Sequence, residues 1–307
     1  MTLTRRQSLI AAAALPGAAL LPAAARADAH GGAAPAPVHR TFTLGEMQVT
    51  TLLAGSRPVE DPHGIFGTNV DDATFEEVAT ANFLPTDMAQ FYFTPTVVRT
   101  GDDVILFDTG LNASGITAAL AAAGYAPDDI THVVLTHMHG DHIGGLTDDD
   151  GTPTFATAAY ITGQVEFDHW AGAENEGFEA KVRPLAEQFY FMGANEQIAP
   201  GITSVAAFGH TPGHMGYRLE SGGAQIILAA DMTNHYVLSL SRPDWEVRFD
   251  MDKEAAAATR RRLLGEIAAD RIAMVGYHMP FPGLGFVEAG DADGDAFRWV
   301  PHSYQFG

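Results

Sequence analysis

Six consecutive residues, His137-Met138-His139-Gly140-Asp141-His142, put three imidazoles and a carboxylate into one short turn. The chain has no cysteine, so any metal must be held by histidine and carboxylate, and a cysteine nucleophile is excluded. A loop histidine by itself is ordinarily a solvated side chain. Four donors at this spacing are different, because the turn can aim His137 and His139 at one point and Asp141 and His142 at a neighbouring one. That predicts two adjacent cation sites. One turn cannot complete the coordination of two ions, so further donors must arrive from distant parts of the chain.

The surroundings indicate where those donors come from. His132-Val133-Val134-Leu135 is a short apolar β run, predicted to be buried on both faces, and the donor turn follows its carboxyl end, where function-bearing loops belong. Three more donors follow predicted strands. His210 comes after Val205 to Gly209, Asp231 after Ile226 to Ala230, and His278 after Met274 to Tyr277. Hairpins are predicted over residues 42–44 with 49–53 and over 96–99 with 104–107. Strands are predicted at 158–162, 202–208, 216–220, 225–230 and 272–275, and helices at 115–123, 164–171, 176–192 and 252–269. The last helix has acids in its first turn and Arg260, Arg261 and Arg262 further along, an order suited to the helix dipole. Two β-rich halves, each with helices, predict an α/β fold: a four-layer αββα sandwich with the donor loops along one edge.

Taken together, the string His137-x-His139-x-Asp141-His142, Gly209-His210-Thr211-Pro212-Gly213-His214, Ala230-Asp231 and His278 resemble the metallo-β-lactamase superfamily. Leu106-Phe107-Asp108-Thr109-Gly110 resembles that superfamily's strand-end aspartate turn. Within it, His278-Met279-Pro280-Phe281-Pro282-Gly283 and the amino terminus look most like the methyl parathion hydrolase group and its lactonase relatives. The resemblance runs from about residue 41 to the end. It implies one metal on His137, His139 and His210, a second on Asp141, His142 and His278, and Asp231 bridging them, with Asp141 and Asp231 also serving the reaction. Two divalent ions are implied, zinc first, with manganese, cobalt or iron as other candidates. Asp108 and His214 are read as residues that orient the ligands.

The reaction expected is hydrolysis of an uncharged ester, lactone or phosphotriester by a hydroxide held between the metals. A β-lactamase is disfavoured, because those members lack an aspartate at the position of Asp231. Lysine and arginine total 17 against 38 acids, a net charge of −21, which disfavours nucleic acid as a partner. A glutathione thioester is disfavoured because Arg298 is the one basic residue after His278. The substrate expected is small and neutral or weakly charged, in an apolar cleft for which Phe66, Phe83, Phe91, Phe93, Trp170, Phe281 and Phe286 are candidate liners. His235 is a further candidate. So is Asn234, which stands where related acyl-homoserine lactonases place a tyrosine. Two other readings are kept: a one-iron oxidoreductase of the persulfide dioxygenase kind, and a noncatalytic metal-binding protein.

The amino terminus reads as an address. Arg5-Arg6, an alanine- and leucine-rich stretch and Ala25-Arg26-Ala27 predict a twin-arginine signal over residues 1–27, with cleavage and a periplasmic or secreted destination. Pro16, Gly17 and Pro22 interrupt the apolar run and argue against a lasting membrane anchor. Residues 28–40 read as a flexible leader and 41–307 as one hydrolase domain. The sequence leaves both a monomer and a homodimer open.

Overall fold

The structure, a computed structural model, describes residues 38–290 and 296–306. The expected signal lies outside the described residues, as does the leader up to residue 37. A hairpin of β1 (His39–Leu44) and β2 (Met47–Leu52) opens the fold, two residues before its expected start. β3 (Gly55–Glu60), α1 (Asp72–Ala81) and β4 (Met88–Phe93) follow, and β3 pairs with β4 as a separate two-stranded sheet. Next come β5 (Thr96–Thr100), β6 (Asp103–Phe107), α2 (Ala113–Ala122), β7 (His132–Val134), α3 (Gly140–Ile143), β8 (Ala159–Gly163), α4 (Gln164–Ala171), α5 (Glu176–Lys181) and β9 (Phe189–Met192). The second half holds β10 (Gln197–Ala199), β11 (Ile202–Ala206), β12 (Met215–Ser221), β13 (Ala224–Ala230), α6 (Lys253–Asp270), β14 (Ala273–Gly276), β15 (Leu284–Ala289) and β16 (Phe297–Pro301).

Two seven-stranded sheets result, ordered β1-β2-β5-β6-β7-β8-β9 and β10-β11-β12-β13-β14-β15-β16. Period-two alternation divides the apolar residues of the two large sheets among three of the four cores, the fourth lying behind β4 with Phe66, Phe75, Phe91 and Phe93. Ile105, Phe107 and Val134 of the first sheet meet Ile226, Leu228, Ala273 and Val275 of the second in a shared core. Their sequence neighbours point the other way. Leu106 and Val133 pack with Ile116 and Leu120 of α2 and Phe178 of α5, while Ile227, Ala229 and Met274 pack under Leu263, Leu264 and Ile267 of α6. Helix, sheet, sheet and helix therefore form the four layers, and each fully buried aliphatic or phenyl side chain contributes about 1.5–3 kcal/mol. Among the described residues no helix is long and apolar enough to cross a membrane.

Local chemistry sets the helix ends. The side chain of Asn112 caps α2 by accepting from Gly115 N, and that of Asp252 caps α6 by accepting from Ala255 N. The expected helix over 176–192 is corrected. It stops at Lys181, passes through a 3-10 turn over Arg183–Gln188, and becomes strand β9. Pro184 supplies no N–H to continue the helix, and the β-prone run Phe189-Tyr190-Phe191 completes the sheet beside β8 instead.

Candidate metal centre

All the expected donors lie where strands end on one side of the two sheets. His137, His139, Asp141 and His142 follow β7 and lead into α3; His210 follows β11, Asp231 follows β13 directly, and His278 lies two residues beyond β14. Ala230 adopts a left-handed φ of 46° just before Asp231, and Asp108, directly after β6, has φ 61°. Both are strained positions at the site, where such strain is commonly kept. Gly213 lets the His210 loop lie against α4: a Cβ there would stand 2.2 Å from Glu166 N.

The donor atoms form overlapping groups: His137, His139 and His210; His137, His142 and Asp231; and Asp141, His142 and His278. His139 Nδ1 is 3.1 Å from His137 Nε2 and 2.9 Å from His210 Nε2. Three imidazole nitrogens so close are near the ~3.3 Å edge of a tetrahedron built on zinc–nitrogen bonds of about 2.0–2.1 Å. Asp231 reaches both ends of the cluster. Its Oδ1 lies 3.1 Å from His142 Nε2, and its Oδ2 lies 3.3 Å from His210 Nε2 and 3.1 Å from His278 Nε2. Asp141 Oδ2 is 3.3 Å from His278 Nε2 and 3.6 Å from His142 Nε2. His142 Nε2 and Asp231 Oδ1 are buried without a hydrogen-bond partner, which a cation between them would satisfy. The residues present fit two divalent ions.

The opposite face of each ring is fixed by the fold. His142 Nδ1 bonds Asp108 Oδ2 at 2.8 Å, and the same carboxylate accepts from Thr136 N and Oγ1. His210 Nδ1 bonds Asp250 Oδ1 at 2.9 Å, and Asp250 is paired with the fully buried Arg260 of α6. His278 Nδ1 donates to Tyr92 O at 2.8 Å. Such partners set tautomer and aim. His214 has no nitrogen left for a metal. Its Nδ1–H donates to Ala207 O and its Nε2 accepts from Asp231 N, so it holds the aspartate's backbone. His214→Ala is therefore expected to lower metal affinity by about 10–100-fold without emptying the site, measured by competition with a chromogenic chelator. Complete loss of metal would instead make His214 a ligand.

The charges are strongly coupled. Burial alone would lower His210 and His278, but the carboxylates around them prevail, Asp231 with Asp250 for His210 and Asp231 with Asp141 for His278, and hold each up to about 9. His142 is raised well above the usual range by Asp231, Asp108 and Asp141, against the same burial. Burial pulls His139 down to about 4 and His235 to about 3. Asp231 is held well below the carboxylate range, and Asp141 down to about 2, by the histidines beside them, although burial opposes both. In the metal-free protein, raised His210 and His278 give stability that is fully present below pH 6.5 and lost as pH climbs through 9. Depressed His139 and His235 act oppositely and remove stability as pH falls from 6.5. A thermal midpoint highest near pH 6.5 and lower on both sides is the expected outcome for the chelated protein. A midpoint rising steadily up to pH 9 would contradict it.

A cleft of about 470 Å³ opens over Asp141, Asp231, His139 and His278, walled by Phe91, Phe93, Ile65, Leu111 and Phe249. Several expected wall residues lie elsewhere. Phe66 is fully buried and stacks on Phe91 from behind. Trp170 stands edge-on to His139 beneath the surface and donates its indole N–H to Glu166. Phe83 is 96% exposed and, with His235, lines a second cavity of about 250 Å³. Phe281 lines neither cavity, and Phe286 packs against the core between the sheets. Asn234 is buried and donates to Asp231 Oδ2 at 2.8 Å, which makes it a support for the carboxylate. The expectation of an uncharged cleft is also corrected, because Arg57, Glu60 and Arg248 stand on its wall.

Sequence reasoning missed Glu166. This fully buried carboxylate accepts from Met138 N, Trp170 Nε1, Thr211 Oγ1 and Gly213 N, and so ties the turn of His137 and His139 to the loop of His210. It missed Asp250 and the pairing role of Arg260 as well. No local pattern marks any of the three.

Residues 94–269, more than half of the chain, match the metallo-beta-lactamase superfamily. The chain belongs to that superfamily. A probable metallo-hydrolase, YybB of Bacillus subtilis (strain 168), is 32% identical over 127 residues, covering 39% of this chain and 53% of YybB. An N-acyl homoserine lactonase of Bacillus thuringiensis is 25% identical over 121 residues, covering 38% of this chain and 45% of the lactonase. The chain thus spans about half the length of the curated relatives it matches. Among solved structures, the dizinc quorum-quenching lactonase AidC, in complex with a product, is similar with a TM-score of 0.79 and 26% identity over 86% of this chain and 97% of AidC. The hydrolase AbOPH has a TM-score of 0.78 at 24% identity, over 87% of this chain and 98% of its own, a likeness of fold.

Proposed function

We propose that this protein is a dinuclear metal-dependent hydrolase that cleaves an uncharged ester, lactone or phosphotriester bond, with His137, His139 and His210 holding one ion, Asp141, His142 and His278 the other, and Asp231 joining them. The observation that carries this reading is the position of Asp231, whose two oxygens face His142 on one side and His210 and His278 on the other. A second complete set of donors, with both of its histidines buried, is redundant in a one-iron oxidoreductase. The similarity to AidC, a dizinc lactonase, supports the same reading.

Two divalent cations supply an ionised water near neutral pH and a Lewis acid toward a carbonyl or phosphoryl oxygen. The chain's own residues do the rest. His214 and Asn234 fix Asp231 at its backbone and at Oδ2, so its carboxylate keeps one orientation. Asp141 and Asp231 both line the cleft, and the side chain of Asp141 is the more exposed, 23% against 4%. Asp141 Oδ2, which faces His142 Nε2 and His278 Nε2, is the oxygen that would hold the second ion, and its partial exposure leaves that position open to entering water and substrate. The phenyl wall excludes bulk water and holds the apolar part of the substrate.

Metal analysis together with one panel of a p-nitrophenyl ester, a lactone and a phosphotriester tests the reading. About two zinc, manganese or cobalt ions per chain and turnover of at least one class are expected. A single iron, or a metal-replete protein that cleaves none of the three, would overturn it. Residues 1–27 are proposed as a twin-arginine export signal; export surviving Arg5→Lys with Arg6→Lys would sink that part.

A further inference from the structure

The cleft above the metal centre carries two arginines that the reaction does not use. Arg57 lies on β3 of the two-stranded sheet, and Arg248 lies in the segment before α6. They come from opposite ends of the fold to one cleft. Each guanidinium sits over a phenyl ring of the same wall, Arg57 at 5.8 Å from the Phe93 centroid and Arg248 at 5.0 Å from that of Phe249. Stacking of this kind holds the charged head near the wall.

What sets the pair apart is position: Arg40, Arg99, Arg218 and Arg271 also have no carboxylate within 4.0 Å among the described residues, but Arg57 and Arg248 are the arginines that line the cleft over the donor cluster. Arg183, Arg260, Arg261, Arg262 and Arg298 each pair with a carboxylate. Among the described residues neither Arg57 nor Arg248 has a carboxylate within 4.0 Å, although Glu60 lines the same cleft. Both side chains are exposed at the wall, so their donors are open to a ligand. The remaining wall is phenyl and aliphatic, from Phe91, Phe93, Ile65, Leu111 and Phe249. A molecule that matches this surface has an uncharged scissile bond at one end, an apolar body, and a single negative charge at the other.

We propose that Arg57 and Arg248 form an oxyanion-binding subsite at the cleft wall, and that the preferred substrate is an ester or lactone whose acyl or alkyl body ends in a carboxylate. This deepens the hydrolase reading and rests on it. The guanidinium fork matches a planar carboxylate through paired N–H donors, and the subsite acts in binding, at a distance from the bond that breaks.

The test compares p-nitrophenyl hexanoate with mono-p-nitrophenyl esters of succinate, adipate and suberate, which share leaving group and reacting carbonyl. A γ-alkyl lactone and its ω-carboxy counterpart extend the comparison to a lactone-restricted enzyme. For the best chain length, kcat/KM for the carboxylate-bearing substrate is expected to exceed that of the neutral one by about tenfold at low salt, through KM rather than kcat. The preference should shrink as ionic strength rises. In Arg57→Gln with Arg248→Gln the ratio should fall to about one, and Arg57→Lys with Arg248→Lys should recover part of it. Turnover of the neutral substrates with no preference for any carboxylate, or a preference that the double glutamine variant keeps, would overturn the subsite and leave the hydrolase reading standing. Failure to cleave every ester and lactone would remove both.

Discussion

Asp231→Ala should lose metal and nearly all turnover while the domain stays folded. Among the described residues the carboxylate is the group that touches His142, His210 and His278 together, so its removal opens both ends of the donor cluster at once. The loss in kcat/KM should exceed the ~10–100-fold that follows removal of an outer partner such as His214. Metal content should drop by about one ion per chain or more. A readout independent of turnover exists in the metal-free protein. His278, held at about 9 largely by Asp231, should titrate lower in the variant when its ring protons are followed by NMR. Circular dichroism should show the fold intact, because the hydrophobic cores do not depend on this side chain. Unchanged turnover would remove the basis for a two-ion reaction.

Glu166→Ala should be the more damaging change for the fold. Four donors from three segments end on this buried carboxylate, and alanine leaves them without a partner. A loss of about 3–5 kcal/mol in unfolding free energy is expected, because each buried neutral donor left unpaired costs about 1–3 kcal/mol and local relaxation recovers part of the sum. It is read from the denaturant midpoint at unchanged m-value. Because Met138 N and Gly213 N belong to the two ligand loops, metal affinity should fall as well, by about 10–100-fold. A change below about 1 kcal/mol would mean that water replaces the carboxylate at little cost. Glu166→Gln retains the shape but offers a single acceptor oxygen, so it should fall between the two.

The candidate donors were legible because their chemistry resides in residue type and in position at the end of an apolar strand. His137 to His142 stand out by spacing alone, and His210, Asp231 and His278 each follow a β run that the sheets contain. The alternation of Ile105, Leu106 and Phe107, or of Ile226 to Ala229, carried the layers in the same way, since each residue's face follows from its parity. The residues that aim the donors left no such trace. Glu166 reaches Met138 across 28 residues and Gly213 across 47, and Asp250 reaches His210 across 40, separations at which no local pattern survives. The aromatic candidates failed for a related reason. Phe91 and Phe93 line the cleft while Phe66 backs it, and a phenyl ring reads the same whether it faces ligand or core. Strand β3 escaped notice because Arg57, Pro58 and Glu60 give it no apolar alternation, and most of it is exposed. With it went Arg57 and the shape of the cleft.

The small sheet of β3 and β4 supplies Arg57, Val59, Glu60, Phe91 and Phe93 to the cleft, whereas every candidate metal donor is rooted at the end of a strand in the two large sheets. The two strands of that hairpin divide the work: β4 steadies a donor, through Tyr92 O on His278 Nδ1 and the phenyl rings of Phe91 and Phe93 beside it, whereas β3 touches the cleft alone. Substitutions at Arg57, Val59 and Glu60 of β3 can therefore retune which molecules enter while the chemistry stays as it is, which gives laboratory evolution toward new substrates a defined target there.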